Sequence, residues 1–177
     1  MPENEKIKLL SFAQEAALLS GKFLLKTNRS NRKINKESAH DVKIQADIQS
    51  EQIIIRYLKS KTDFSILSEE KGMIQRGDEE CVWIVDPIDG SLNYLQRIPF
   101  SCVSIGLWKR EKPVLGVVYD FNRDELFTGI VGRGAWLNKT SIYVSGTMDK
   151  KKAILFTGFP ARADLSDEIF ASFARSV

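Results

Sequence analysis

Cysteine is scarce in this sequence: Cys81 and Cys102 are the only two, and their spacing matches no metal motif. Parity alone permits a disulfide, but a chain of 177 residues does not need one to hold a core, and nothing points to secretion. Long apolar runs are also lacking. None approaches the roughly 20 residues that a membrane-crossing helix requires, and Met1–Lys8 is too polar and charged for a signal peptide. Strong charge of one sign is missing as well. The net charge of +3 is too small to imply nucleic-acid binding, while a mildly basic surface suits an enzyme with an anionic substrate. Lys150-Lys151-Lys152 reads as a solvated turn. The expectation is a soluble, cytoplasmic protein without a membrane or nucleic-acid partner.

Hydrophobic residues at 43% and charged residues at 28% describe a globular chain, long enough for one domain and part of another. Between Ile7 and Leu25, the positions Ile7, Leu10, Ala13, Ala17, Leu18, Gly21, Leu24 and Leu25 recur at three- and four-residue steps and predict an amphipathic helix. Thr27–His40 is polar and aperiodic and reads as a mobile surface loop. A second helix is expected over Asp47–Lys61, with Ile48, Ile54, Ile55 and Leu58 on one face and an acidic first turn that suits the helix dipole. Strands are expected at Ser65–Ser68, Val82–Val85, Val103–Trp108, Val114–Tyr119, Glu125–Ile130 and Ala135–Leu137. Hairpin-scale connections such as Lys109–Lys112 and Asp120–Asp124 predict antiparallel pairing. Two helices followed by such a sheet form an α+β pattern. The character changes beyond Gly146, so residues 1–147 read as one domain and 148–177 as the start of an α/β unit, with a strand at Ala153–Phe156 and a helix from Asp164 to about Ala174.

The chemistry concentrates in Trp83-Ile84-Val85-Asp86-Pro87-Ile88-Asp89-Gly90-Ser91-Leu92-Asn93-Tyr94. An apolar strand runs into two carboxylates three apart, split by a proline and followed by Gly-Ser. Hard divalent cations such as magnesium take oxygen ligands: a few carboxylates, with water or phosphate in the remaining positions. Asp86 and Asp89, with the carbonyl of Ile88 between them, can face one point. Gly90–Ser91 can open a short helix whose free N–H groups accept a phosphate. Alone, the same run also reads as a turn with Asp89 capping a helix. Two more acidic clusters accompany it, Ser68-Glu69-Glu70 at a strand end and Asp41 with Asp47 at a helix entry. Carboxylates gathered from separate segments are how multi-metal hydrolytic sites are assembled.

Trp83–Tyr94 resembles the signature Trp-Ile-x-Asp-Pro-Ile-Asp-Gly-Thr-x-Asn-Phe of the inositol monophosphatase superfamily, with Ser91 for Thr and Tyr94 for Phe. The resemblance extends in order through Asp41…Asp47-x-x-Ser50-Glu51, Ser68-Glu69-Glu70, Pro99-Phe100, Val103-Ser104-Ile105-Gly106, Gly116-Val117-Val118-Tyr119 and Gly132-x-Gly134-Ala135-x-x-Asn138. It implies the N-terminal portion of a layered αβαβα sugar-phosphatase fold that hydrolyses small phosphomonoesters by metal-activated water. The enzyme would be lithium-sensitive, with two or three magnesium ions per site, and dimeric at full length. Inositol monophosphate is the default substrate. Fructose 1,6-bisphosphate, adenosine 3′,5′-bisphosphate and histidinol phosphate are alternatives.

Carried onto this sequence, the resemblance makes Glu69, Asp86, Asp89 and the Ile88 carbonyl metal ligands, and Gly90 and Ser91 the phosphate contacts. Asp47 would hydrogen-bond the Ser91 hydroxyl, and that pair or Glu69 would orient the attacking water; because the metal lowers the pKa of bound water, no histidine is needed, and His40 sits in a polar loop. Lys43 and Ile44 depart from the family's Val and Thr. Nothing after Asn138 matches the family's Trp-Asp-x-Ala motif, whose Asp completes the metal site. The expectation is therefore a chain cut within its second domain, or one that binds metal or a partner chain without turnover. An unpartnered strand at Ala153–Phe156 would make the isolated chain oligomeric or poorly soluble.

Overall fold

A computed structural model describes residues 1–27, 34–38, 41–74, 78–154 and 172. The chain separates into two compact units: Met1–Glu37 with Val42–Tyr143, and Ser38–Asp41 with Val144–Val177. The first contains helix α1 (Glu3–Thr27), helix α2 (Gln45–Lys61), a short helix α3 (Ser91–Gln96) and an eight-stranded sheet. In chain order the sheet's strands are β3 (Phe64–Ser68), β4 (Gly72–Ile74), β5 (Asp78–Asp89), β6 (Cys102–Lys109), β7 (Lys112–Asp120), β8 (Glu125–Ile130), β9 (Gly134–Leu137) and β10 (Thr140–Ile142). Their spatial order is β10-β9-β8-β7-β6-β5-β3-β4, and β1 (Ile34–Ser38) and β2 (Asp41–Ile44) form a separate two-stranded sheet. The described part of the second unit includes a 3₁₀ turn at Lys150–Lys152.

The α+β class expected from the sequence is present, with one correction: the sheet is mixed. β3 and β5 run parallel, with Ser65 opposite Val82 and Ser68 opposite Val85, and the other pairs are antiparallel. Hairpin-length spacing cannot reveal a pairing that skips β4. Part of the expected loop is also strand, since Ile34–Ser38 forms β1. Ala153 and Ile154 lie outside any strand and are exposed. The rest of that expected strand, the helix from Asp164 apart from Ser172, and His40 fall outside the described residues.

Strand alternation places Trp83, Val85, Val103, Ile105, Leu107, Leu115, Val117 and Tyr119 on one face, where α1 and α2 cover them. Helix α1 presents Leu9, Leu10, Ala13, Ala16, Ala17, Gly21 and Leu24 to this core, while Ile7 and Leu25 remain exposed. The buried stripe is therefore rotated slightly from the one expected. Small residues let the helix lie close to the sheet: a Cβ on Gly21 would stand 2.4 Å from the Tyr119 ring. Both cysteines are free thiols. Among the described residues, no helix is long and apolar enough to cross a membrane.

Candidate active site

Parallel pairing of β3 and β5 sets two strand ends side by side, so the turn after Ser68 lies next to the end of β5. The Glu69 N–H donates to the Val85 carbonyl at 3.2 Å, which fastens the acidic turn to the strand that ends in Asp86. Beyond Asp86 the β5–β6 ladder becomes irregular before Asp89 pairs with Cys102. Pro87 accounts for this, because it has no N–H to offer the ladder.

The Asp86 carboxylate accepts the Ile88 N–H at 3.1 Å. Burial, followed by the nearby charge and hydrogen bonding of Glu69 and then the charge of Asp89, pushes the Asp86 carboxyl up to about 7 against that donor. Such crowding of like charges is what a cation would relieve. Asp89 is exposed, and the Cys102 thiol lies 3.8 Å from its Oδ2. Burial, with Asp89 as the next cause, pushes that thiol up to about 12, so Cys102 is no thiolate at neutral pH.

Gly90 opens α3 in the left-handed region at φ 85°, and a Cβ there would meet the Phe100 carbonyl at 2.9 Å. Glycine is required on both counts. The Ser91 hydroxyl lies within donating distance of Asp47 Oδ1 at 3.0 Å and of the Ile88 carbonyl at 2.9 Å. Asp47, the third residue of α2, is almost wholly buried. α3 is anchored underneath by Tyr94, whose hydroxyl donates to the Leu24 carbonyl at 2.9 Å.

The structure thus brings Glu69 to Asp86, and Asp47 to Ser91 and Ile88. Asp89 is less tightly gathered. It lines a cavity of about 310 Å³ with Gly90, Asn93, Phe100 and Arg123, whereas Glu69 and Asp86 line a separate hollow of about 520 Å³. Among the described residues, no three His, Cys, Asp or Glu side chains form a ready-made ion cage. Pattern reading treated Ser50, Glu51 and Ser68 only as parts of motifs. All three are buried and hydrogen-bonded beneath this site. The one signal for Ser50 and Glu51 was the Asp47-x-x-Ser50-Glu51 spacing itself, which puts three polar residues on one helix face, and for Ser68 its place before Glu69-Glu70.

The profile described as "Inositol monophosphatase family" matches residues 5–173. The chain belongs to the inositol monophosphatase family. It is 39% identical over 152 residues to "Inositol-1-monophosphatase" of Synechocystis sp., covering 85% of this chain and 53% of that protein. It is 34% identical over 155 residues to "Nus factor SuhB" of Pasteurella multocida, covering 86% and 58%. The solved structure of extragenic suppressor protein suhB from Bartonella henselae superposes with a TM-score of 0.76 at 36% identity, covering 79% of this chain and 55% of that one. The chain spans a little over half the length of these members of its family.

Proposed function

We propose that this chain carries the metal- and phosphate-holding part of a magnesium-dependent phosphomonoesterase site, with inositol monophosphate as the default substrate. The observation that supports it most directly is the meeting of strand ends, Glu69 against Asp86, beside a Ser91 tied to the buried Asp47. Glu69, Asp86, Asp89 and the Ile88 carbonyl would hold the metal. Each magnesium ion uses one or two carboxylates and keeps waters and substrate phosphate in its other positions, so three carboxylates shared between ions would suit it without an all-protein cage. When bound, it would supply charge neutralisation and a lowered pKa for water.

The chain's own residues do the orienting. With its proton directed at Asp47, the Ser91 oxygen is left to accept a hydrogen bond from water. Together Asp47, Ser91 and Glu69 would aim that water at phosphorus. The backbone of Gly90 and Ser91 would receive the phosphate oxygens. With this reading go a small phosphorylated metabolite as partner, lithium sensitivity, a homodimer in the assembled enzyme, no nucleic-acid partner, a cytoplasmic setting and a second α/β unit from residue 148.

A second reading is carried by the relatives' names, which include both "Inositol-1-monophosphatase" and "Nus factor SuhB". Under it, the chain binds metal or a partner without turnover. The test is phosphate release with magnesium from inositol monophosphate, fructose 1,6-bisphosphate, adenosine 3′,5′-bisphosphate and histidinol phosphate, alongside magnesium calorimetry on wild type and Asp89→Asn. Release that Asp89→Asn abolishes, with the fold kept, supports the first reading. Magnesium binding without release supports the second. Binding and release both untouched by Asp89→Asn would remove Asp89 from the site.

A further inference from the structure

We infer that the buried polar face of α2 aligns this site, with Ser50 and Glu51 as positioning residues; the inference rests on the phosphatase reading. Asp47, Ser50 and Glu51 stand at i, i+3 and i+4, the spacing that stacks side chains on one face of a helix. All three are buried, Asp47 at 2% exposure and the other two at 0%. A carboxylate in that setting is costly unless it is well partnered.

The partners of Glu51 flank the acidic turn on both sides. Its Oε1 accepts the Ser68 hydroxyl at 2.5 Å and the Lys71 N–H at 3.0 Å. Its Oε2 faces the Lys71 ammonium at 3.2 Å as an ion pair, and accepts no hydrogen bond among the described residues. Ser68 and Lys71 bracket Glu69–Glu70, so a single carboxylate fixes the turn from which Glu69 projects. One residue earlier, the Ser50 hydroxyl donates to the Pro87 carbonyl at 3.0 Å and lies 2.5 Å from the Ser20 hydroxyl of α1. Pro87 lies between Asp86 and Ile88, where the ladder to β6 is interrupted, and the helix holds this backbone where the sheet does not.

With Asp47 on Ser91, one helix face therefore grips each of the three segments assigned to the chemistry. Apolar side chains would pack this space at least as well, since replacing a buried ion pair with hydrophobic residues is often neutral or stabilising. What the polar set adds is orientation. It holds Glu69 and Asp86 together against their mutual repulsion. Partners behind metal ligands typically contribute 10- to 100-fold to metal affinity.

The test is magnesium calorimetry on the full chain, paired with thermal melting without metal. Glu51→Gln keeps the volume and removes the charge that holds Lys71. It should weaken magnesium binding by about 10-fold. Ser50→Ala and Ser68→Ala each remove one hydroxyl and should weaken it several-fold, while Ser60→Ala on the exposed face of α2 should leave it unchanged. Should Glu51→Gln fail to fold, the two serine variants decide. Lowered melting temperatures with unchanged magnesium affinity in Glu51→Gln, Ser50→Ala and Ser68→Ala would mean a purely structural role and overturn the inference alone. A wild-type chain that binds no magnesium would overturn the underlying reading and this inference with it.

Discussion

From β6 to β10 the sheet is a succession of antiparallel hairpins in which each strand pairs with its neighbour in sequence. At the other end, β5 pairs in parallel with β3 across the intervening β4, and its far end passes into α3 before β6 begins. The candidate active-site residues lie at this second end. Hairpins bring together residues already close in the chain, so they build a rigid platform but cannot collect distant carboxylates. The skipped pairing does that: it joins Ser68 to Val85, and α2 then holds both strands from beneath.

The sharpest test of this contrast is to remove a large core side chain from each end. Trp83 of β5 is wholly buried, stacks obliquely near Phe64 at 6.3 Å, and donates its indole N–H to Thr62 at 3.0 Å. Trp83→Ala should cost about 3–5 kcal/mol, the range for a deleted core aromatic. Trp136 of β9 is only partly buried, beneath the Arg133 guanidinium. Trp136→Ala should cost about 1–2 kcal/mol, in line with partial burial. Urea denaturation of both variants measures the difference. Equal losses would mean that the hairpin end is no less committed to the core.

Two smaller changes test how α1 is held, against the hairpin end through β7 and to the site end through α3. Gly21→Ala in α1 drives a methyl against the Tyr119 ring, which is buried and pinned by its hydroxyl on Asp124 at 2.8 Å. Overpacking costs about 1–3 kcal/mol, and the gain in helix propensity returns up to about 1, so a net loss of about 1–2 is expected in thermal melting. No loss would show that α1 can lift from β7. Tyr94→Phe removes the hydroxyl that fastens α3 to α1 and should cost about 1 kcal/mol. If melting does not change, the anchor is dispensable.

The same contrast governs what could be read from the residues alone. The antiparallel strands β6 to β8 and helix α1 follow from local periodicity, because each buries an apolar stripe or face of its own. Expected bounds such as Ile7–Leu25 fall inside the observed Glu3–Thr27. Strands β4 and β10 have three residues each and carry too few side chains to show an alternation. The inward face of α2 is harder still. Ile54, Ile55 and Leu58 are buried as expected, but Ile48 is only half-buried, and Asp47, Ser50 and Glu51 take the interior instead. Apolar periodicity misses a helix turn that buries polar groups for what they hold. Asp86, Asp89 and Glu69 were visible through the family signature and its ordered neighbours, yet their partition between two hollows goes with the interrupted ladder around Pro87 and cannot be counted from spacing.

A last test lies at the hairpin end, in the turn leading from β9 to β10. Asn138 adopts φ 46°, its side-chain amide donates to the Asp124 carbonyl at 3.0 Å, and its Oδ1 accepts the Leu126 N–H at 2.9 Å. One side chain thus closes the start of β8 and the end of β9. Asn138→Ala loses both bonds and also the tolerance for a left-handed backbone, which together should cost about 1–2 kcal/mol. Asn138→Gly keeps the backbone freedom and should cost less, by roughly 0.5–1 kcal/mol. If the two variants melt together, the side-chain bonds alone matter. Magnesium binding should be untouched in both, because a turn in the hairpin platform carries none of the strand ends on which the site is built.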